Sequence, residues 1–185
     1  MTNLRILHLD HAPIVDVTPL SKMTQLEELW LVYSLIESID PLSKLTSMKR
    51  LGLRGTSITT IESLSGLSLL EHLEISKTSV SDLSPLSNSS QLKMIGLRDT
   101  NVVDLQPLSG HSSLKIIDLH ASQVFSLAPL SGLKQLQALD IGHTLVTTLE
   151  PLETSHNIKE FRATQAPLIA SHCPQNIPAI QSECA

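Results

Sequence analysis

The sequence predicts an α/β solenoid, a right-handed coil with a parallel sheet on its concave face and short 3₁₀ or helical turns on its convex face. Three observations carry this expectation. Aliphatic residues return every 22 positions, Pro-Leu pairs follow them at a fixed distance, and only 2% of the 185 residues are aromatic. A core of this size normally draws bulk from Phe, Tyr and Trp, so one built from Leu, Ile and Val suggests many thin, similar layers.

In rows of 22, Leu4, Leu26, Met48, Leu70, Leu92, Leu114, Leu136 and Ile158 fall in one column without insertion or deletion. Leu7, Leu29, Leu51, Leu73, Ile95, Ile117, Leu139 and Phe161 form the next column, and Leu9, Leu31, Leu53, Ile75, Leu97, Leu119, Ile141 and Ala163 the one after. The resulting L-x-x-L-x-L ends in strict alternation, which turns every second side chain inward as a strand requires. A single row cannot bury its own Leu face, so neighbours must stack, with parallel strands and right-handed winding. At ~4.8 Å per strand, eight strands span about 35–40 Å.

The second half of each row holds Pro19, Pro41, Ser63, Pro85, Pro107, Pro129 or Pro151, each followed by Leu. Proline pre-sets the backbone for a first helical turn, where its missing N–H costs nothing. Asp16, Ser38, Thr60, Asp82, Asp104, Ser126 and Thr148 precede these turns, and their short polar side chains can accept bonds from turn amides.

L-x-x-L-x-L followed by V-x-D-L-x-P-L-S-x-L, as in Leu92 to Leu108, resembles the 22-residue leucine-rich repeats of bacterial internalins and of the leucine-rich regulatory subunit of a protein phosphatase. The resemblance covers roughly residues 1–168. It implies the horseshoe solenoid and a role in protein–protein interaction, but names no partner, because such frameworks bind unrelated targets. The family usually places Asn at the ninth position. Here that column reads Ala12, Ser34, Thr56, Thr78, Thr100, Ser122, Thr144 and Ala166, a Thr/Ser ladder expected to bond backbone groups of adjacent turns.

Residues 1–168 are expected to form about eight repeats starting mid-repeat, and residues 169–185 an irregular C-terminal cover or linker, with Pro178 keeping any helix there short. The first strand would be an open edge, consistent either with a fragment of a longer array or with packing on a second molecule. His172, Cys173 and Cys184 match no closed zinc motif, and no cofactor is expected. Two cysteines, an N-terminus without an apolar signal and no membrane-length apolar run favour a cytoplasmic setting.

Function must then sit on outward strand positions. Trp30 and Tyr33, the only Trp and Tyr of the chain, share one repeat with Val32, while Arg50 and Arg54 lie one rung on and Arg98 further along. Trp, Tyr and Arg dominate binding hot spots, although Trp30 could instead cover its neighbours' stems. Asp118 and Asp140 share a column near His120 and His143 and complete the candidate partner-binding set. An acid pair on an open sheet is expected to be simply solvated rather than catalytic. Asn88-Ser89-Ser90 fits a glycosylation acceptor, a pattern that Ser-rich turns also produce by chance.

Of 13 Lys and Arg and 18 Asp and Glu, the strand face takes ten and nine, leaving it near +1 while the remainder is near −6. A mixed face suits a protein surface, and the net charge of −5 argues against nucleic acid. The expected function is a protein-interaction module, the regulatory or targeting part of a larger protein, without enzymatic activity and without membrane attachment. The alternative is a self-associating scaffold that uses its N-terminal edge.

Overall fold

The alternating half of every row becomes a three-residue strand. In the computed structural model, which describes residues 3–174 and 177–181, these are β1 Ile6–His8, β2 Glu28–Trp30, β3 Arg50–Gly52, β4 His72–Glu74, β5 Met94–Gly96, β6 Ile116–Asp118, β7 Ala138–Asp140 and β8 Glu160–Arg162. They form one parallel sheet in chain order, each residue opposite the one 22 positions on, as in Leu29↔Leu51 and Asp118↔Asp140. Constant register follows from constant repeat length, since a slip of one residue would send the Leu column to solvent.

Inside lies one continuous aliphatic core. Leu73, Leu97, Ile117 and Leu139 are all at most 2% exposed, whereas the outward-facing Trp30, Arg54, Arg98 and Asp118 remain half-open. The expected frame is therefore the observed one. At the first layer Leu4, Leu7, Leu9 and Ile14 are only partly buried, because β1 has a neighbour on one side.

The convex side carries a 3₁₀ turn in each repeat, from Thr18–Lys22 to Ala170–His172. All seven expected polar residues accept the amide two positions on. Asp16, Asp82 and Asp104 do so at 2.8 Å, and the hydroxyls of Ser38, Thr60, Ser126 and Thr148 at 3.1–3.3 Å. The shorter carboxylate bonds are the charge-assisted ones.

The Thr ladder differs from expectation. Thr56, Thr78, Thr100 and Thr144 donate to the carbonyl three residues back in their own repeat, at 2.7 Å each, rather than to a neighbouring turn. Backbone amides already join the turns, for example Ser79 N–H to the Ile58 carbonyl and Asn101 N–H to that of Val80. The hydroxyl is left to serve its own strand end. In Ser34 and Ser122 the buried hydroxyl has no partner among the described residues, since without the β-methyl nothing holds its rotamer.

A second regularity lies just past the strands. His11, Tyr33, Gly55, Lys77, Asp99, Ala121, His143 and Gln165 all have φ between 53° and 68°, although only one is glycine. This left-handed residue lets the chain leave the sheet at the same angle in every repeat.

Toward the C-terminus, Pro178 opens the short helix α1 (Pro178–Gln181) instead of ending one, because proline at a first turn forfeits no hydrogen bond. Ile177 and Ile180 are buried, and α1 packs on β8. Cys173 is buried and disulfide-bonded. Cys184 lies outside the described residues, among which no helix is long and apolar enough to cross a membrane.

Candidate functional site

Outward strand residues and the left-handed column form the concave face. Its N-terminal part is organised by Glu28. Arg50 Nη1 donates to Glu28 Oε2 at 2.9 Å, Trp30 Nε1–H donates to Oε1 at 2.8 Å, and His8 Nε2 lies 3.0 Å from the same oxygen. These partners, Arg50 foremost, hold the Glu28 carboxyl down at about 2. Next to the strands, Tyr33 stacks on His11 with ring centroids 5.2 Å apart, and Arg54 Nε reaches the Tyr33 hydroxyl at 3.4 Å.

Large residues on this face are matched to glycines one rung on. A Cβ on Gly52 would run into the six-membered ring of Trp30, and one on Gly55 into the ring of Tyr33. Glu74 occupies the same relation to Gly96, and His120 to Gly142. Each glycine is a notch that lets the preceding side chain lie down on the backbone. Trp30 is consequently half-buried, while Tyr33 keeps 41% of its surface open.

Further along, Arg98 spans two rungs. Its Nε lies 3.2 Å from Asp118 Oδ2 and its Nη2 3.3 Å from Asp140 Oδ2. The second oxygens accept backbone amides, Asp118 from His120 at 3.0 Å and Asp140 from Gly142 at 2.9 Å. His120 Nδ1 stands 3.4 Å from Asp140 Oδ1. The acid pair expected to be simply solvated is instead clamped by one guanidinium, and Asp140 is buried. Like charges directly opposite on adjacent strands repel, and the Arg98 fork removes that cost. Among the described residues no group of three or more His, Cys, Asp or Glu is placed to hold a metal ion.

A profile described as leucine rich repeats (2 copies) matches residues 2–44. Solved structures extend the likeness over most of the fold. An internalin (inlF) of Listeria monocytogenes is 27% identical with a TM-score of 0.83, over 85% of this chain and 47% of that one. Internalin C2 of the same organism is 28% identical with a TM-score of 0.85, over 88% of this chain and 72% of that one. The chain is built of leucine-rich repeats. It spans about half the length of the first of these internalins. No curated protein matches the sequence.

On this leucine-rich-repeat face the residues singled out from sequence separate into two groups. Trp30, Val32, Tyr33, Arg50 and Arg54 come together on adjacent rungs, with Val32 half-buried and its amide bound to Asp10 Oδ1 at 2.9 Å. Arg98, Asp118 and Asp140 form the second group. Trp30 has a structural task, covering Gly52 and feeding Glu28, so its placement is not an exposure without structural need. Sequence reasoning passed over Glu28 and the glycine notches, although Gly52 and Gly55 stand 22 positions after Trp30 and Tyr33. It also passed over a hollow of about 220 Å³ at β6–β8, floored by Ile116, Ala138 and the backbone of Ile117 and Leu139, and bordered by Asp118, Asp140, Glu160 and Arg162.

Proposed function

We propose that this leucine-rich-repeat chain is a protein-interaction module, the regulatory or targeting part of a larger protein, which binds a protein partner with its concave sheet face. The observation that carries the reading is that face itself. It is a rigid, eight-stranded open surface on which aromatic, cationic and aliphatic side chains are positioned while the opposite side of each strand is spent on the core. Stacked repeats characteristically use such extended concave surfaces for binding.

An enzymatic role is not part of the proposal. The only opposed acid pair on the described strands is bridged by Arg98, and the hollow beside it is smaller than the roughly 300–1,000 Å³ of small-molecule sites. Neither nucleic acid nor membrane is proposed as a partner. The cytoplasmic setting suggested by the thiol-poor body carries less weight beside the disulfide at Cys173, since such bonds persist mainly in oxidising surroundings.

A photo-crosslinking amino acid placed in turn at Arg54, Ile116 and, on the convex side, Glu62 tests the reading in cells of the source organism. Protein adducts are expected from the first two positions and not from Glu62. Adducts confined to Glu62 overturn it. The second reading, self-association through β1, is favoured by its single neighbour and its half-covered Leu7 and Leu9. A β1-dependent dimer in sedimentation would support it.

A further inference from the structure

The first outward column of the strands runs Ile6, Glu28, Arg50, His72, Met94, Ile116, Ala138, Glu160. Its middle is a contiguous apolar strip on three adjacent strands, Met94, Ile116 and Ala138, with Ile116 46% exposed. Side-chain size then drops sharply at Ala138, and this step creates the hollow of about 220 Å³. The hollow is dry in character, since its floor is aliphatic, and it is of side-chain rather than metabolite size.

The charges around it are unbalanced in a way the rest of the face is not. One residue before each strand stands a column that reads Arg5, Glu27, Lys49, Glu71, Lys93, Lys115, Gln137, Lys159. Its first five members are paired: Glu27 holds both Arg5 and Lys49 at 2.7 Å, and Glu71 holds Lys93 at 2.8 Å. Alternation then stops. Among the described residues Lys115 and Lys159 form no ion pair, nor does Arg162, and the one unpaired acid beside them is Glu160. Arg98 engages both Asp118 and Asp140 with a single charge, so the four cations Arg98, Lys115, Lys159 and Arg162 exceed the three acids Asp118, Asp140 and Glu160 by one.

We propose that the hollow over Ala138 receives an aliphatic side chain from an acidic segment of the partner protein, whose flanking carboxylates meet Lys115 and Lys159. The inference rests on the concave face being the partner surface and names the chemistry that part of it accepts. An apolar anchor supplies the burial, while Lys115 and Lys159, one residue before Ile116 and Glu160 of the hollow's lining, set orientation and reject basic segments, the usual division between a hot spot and its margin.

The probe is the capped peptide acetyl-Glu-Asp-Leu-Asp-Glu-amide, with two controls, one carrying Gly in place of Leu and one with Lys at all four acidic positions. Binding is read on the full chain with Ile, Ala and Met methyl labels. Saturable shifts are expected at Ile116, Ala138 and Met94, with Ile58 in the core unmoved. The Gly and Lys peptides should bind at least fivefold more weakly. Ala138→Leu, which fills the hollow, and Lys115→Glu with Lys159→Glu, which reverses the rim on exposed and unpaired side chains, should each weaken binding about tenfold while the spectrum stays folded. The proposal is overturned if the Lys peptide binds as well, if the shifts centre on the Trp30 region, or if millimolar acidic peptide moves no β6–β7 methyl. Crosslinks that still form from Arg54 in that case would leave the concave-face reading standing and remove only the hollow. Crosslinks confined to Glu62 would remove the face as well.

Discussion

Trp30 and Gly52, opposite each other on β2 and β3, are a matched pair in which the indole occupies the space a side chain at position 52 would need. Exposure of a large aromatic and absence of a side chain next to it are thus one structural fact. Gly52→Ala is expected to destabilise the chain by about 1–3 kcal/mol, the usual range for overpacking. The Trp30→Ala/Gly52→Ala double variant should recover most of that loss, which thermal unfolding of the four members of the cycle would measure. Equal destabilisation by Gly52→Ala with and without the indole would mean that the strand itself rejects the methyl.

Glu28 ties the same cluster together and makes it acid-sensitive. Its folded carboxyl sits at about 2, against 4.5 when unperturbed, because Arg50, Trp30 and His8 favour the charged form. A depressed pKa contributes stability that is present above the unfolded value and is lost as pH falls through the folded one. Stability attributable to Glu28 should therefore decline between pH 4.5 and about 2. Glu28→Gln should flatten that part of the pH profile in denaturant titrations.

The ninth-column hydroxyls divide by residue type. Thr100 is buried and bonded to the Leu97 carbonyl, whereas the Ser122 hydroxyl is buried and unpartnered among the described residues. Thr100→Val should cost roughly 1–2 kcal/mol by removing the donor from a buried carbonyl. Ser122→Thr should be stabilising, since the added methyl selects the bonding rotamer. Unchanged unfolding midpoints in both variants would make the hydroxyl incidental.

The repeat frame, the register and the turn-capping residues were legible because each is a column property, visible whenever 22-residue rows are aligned. Leu73 and Leu97 are buried for the same reason that Asp82 and Asp104 cap turns. The left-handed column was not legible, since seven of its eight members carry a side chain and nothing in Lys77 or Ala121 announces a positive φ. The Trp30–Gly52 match was written in the sequence but only as a relation between rungs. The Arg98 clamp needed geometry, because Arg98 occupies a different column from Asp118 and Asp140 and meets them only through the length and aim of one side chain. The hollow at Ala138 likewise exists only as a difference in size between stacked neighbours.

That left-handed column is itself a test of backbone strain. Ala121 holds φ 55° with no side-chain polar group to favour it. Replacing it by glycine removes the Cβ conflict at the expense of greater freedom in the unfolded chain. The first effect is worth about 1–2 kcal/mol and the second a few tenths to about 1 kcal/mol, so Ala121→Gly should leave the chain as stable or up to about 1 kcal/mol more stable. A clear loss of stability would mean that the Ala121 methyl packs usefully on the face.

Arg98 offers the sharpest separation of charge from packing. Its guanidinium lies between Asp118 and Asp140, which stand opposite each other on β6 and β7. Arg98→Met keeps most of the aliphatic stem but leaves two carboxylates facing each other, one of them buried. Breaking a fully buried pair costs roughly 3–5 kcal/mol, and with Arg98 about a third exposed the expected loss is about 1–3 kcal/mol. Asp140→Asn in the same background retains an acceptor for the Gly142 amide and removes the repulsion. The Arg98→Met/Asp140→Asn variant should accordingly regain most of the loss in chemical denaturation. If it is no more stable than Arg98→Met alone, the guanidinium acts through packing, and Asp118 and Asp140 tolerate each other without it.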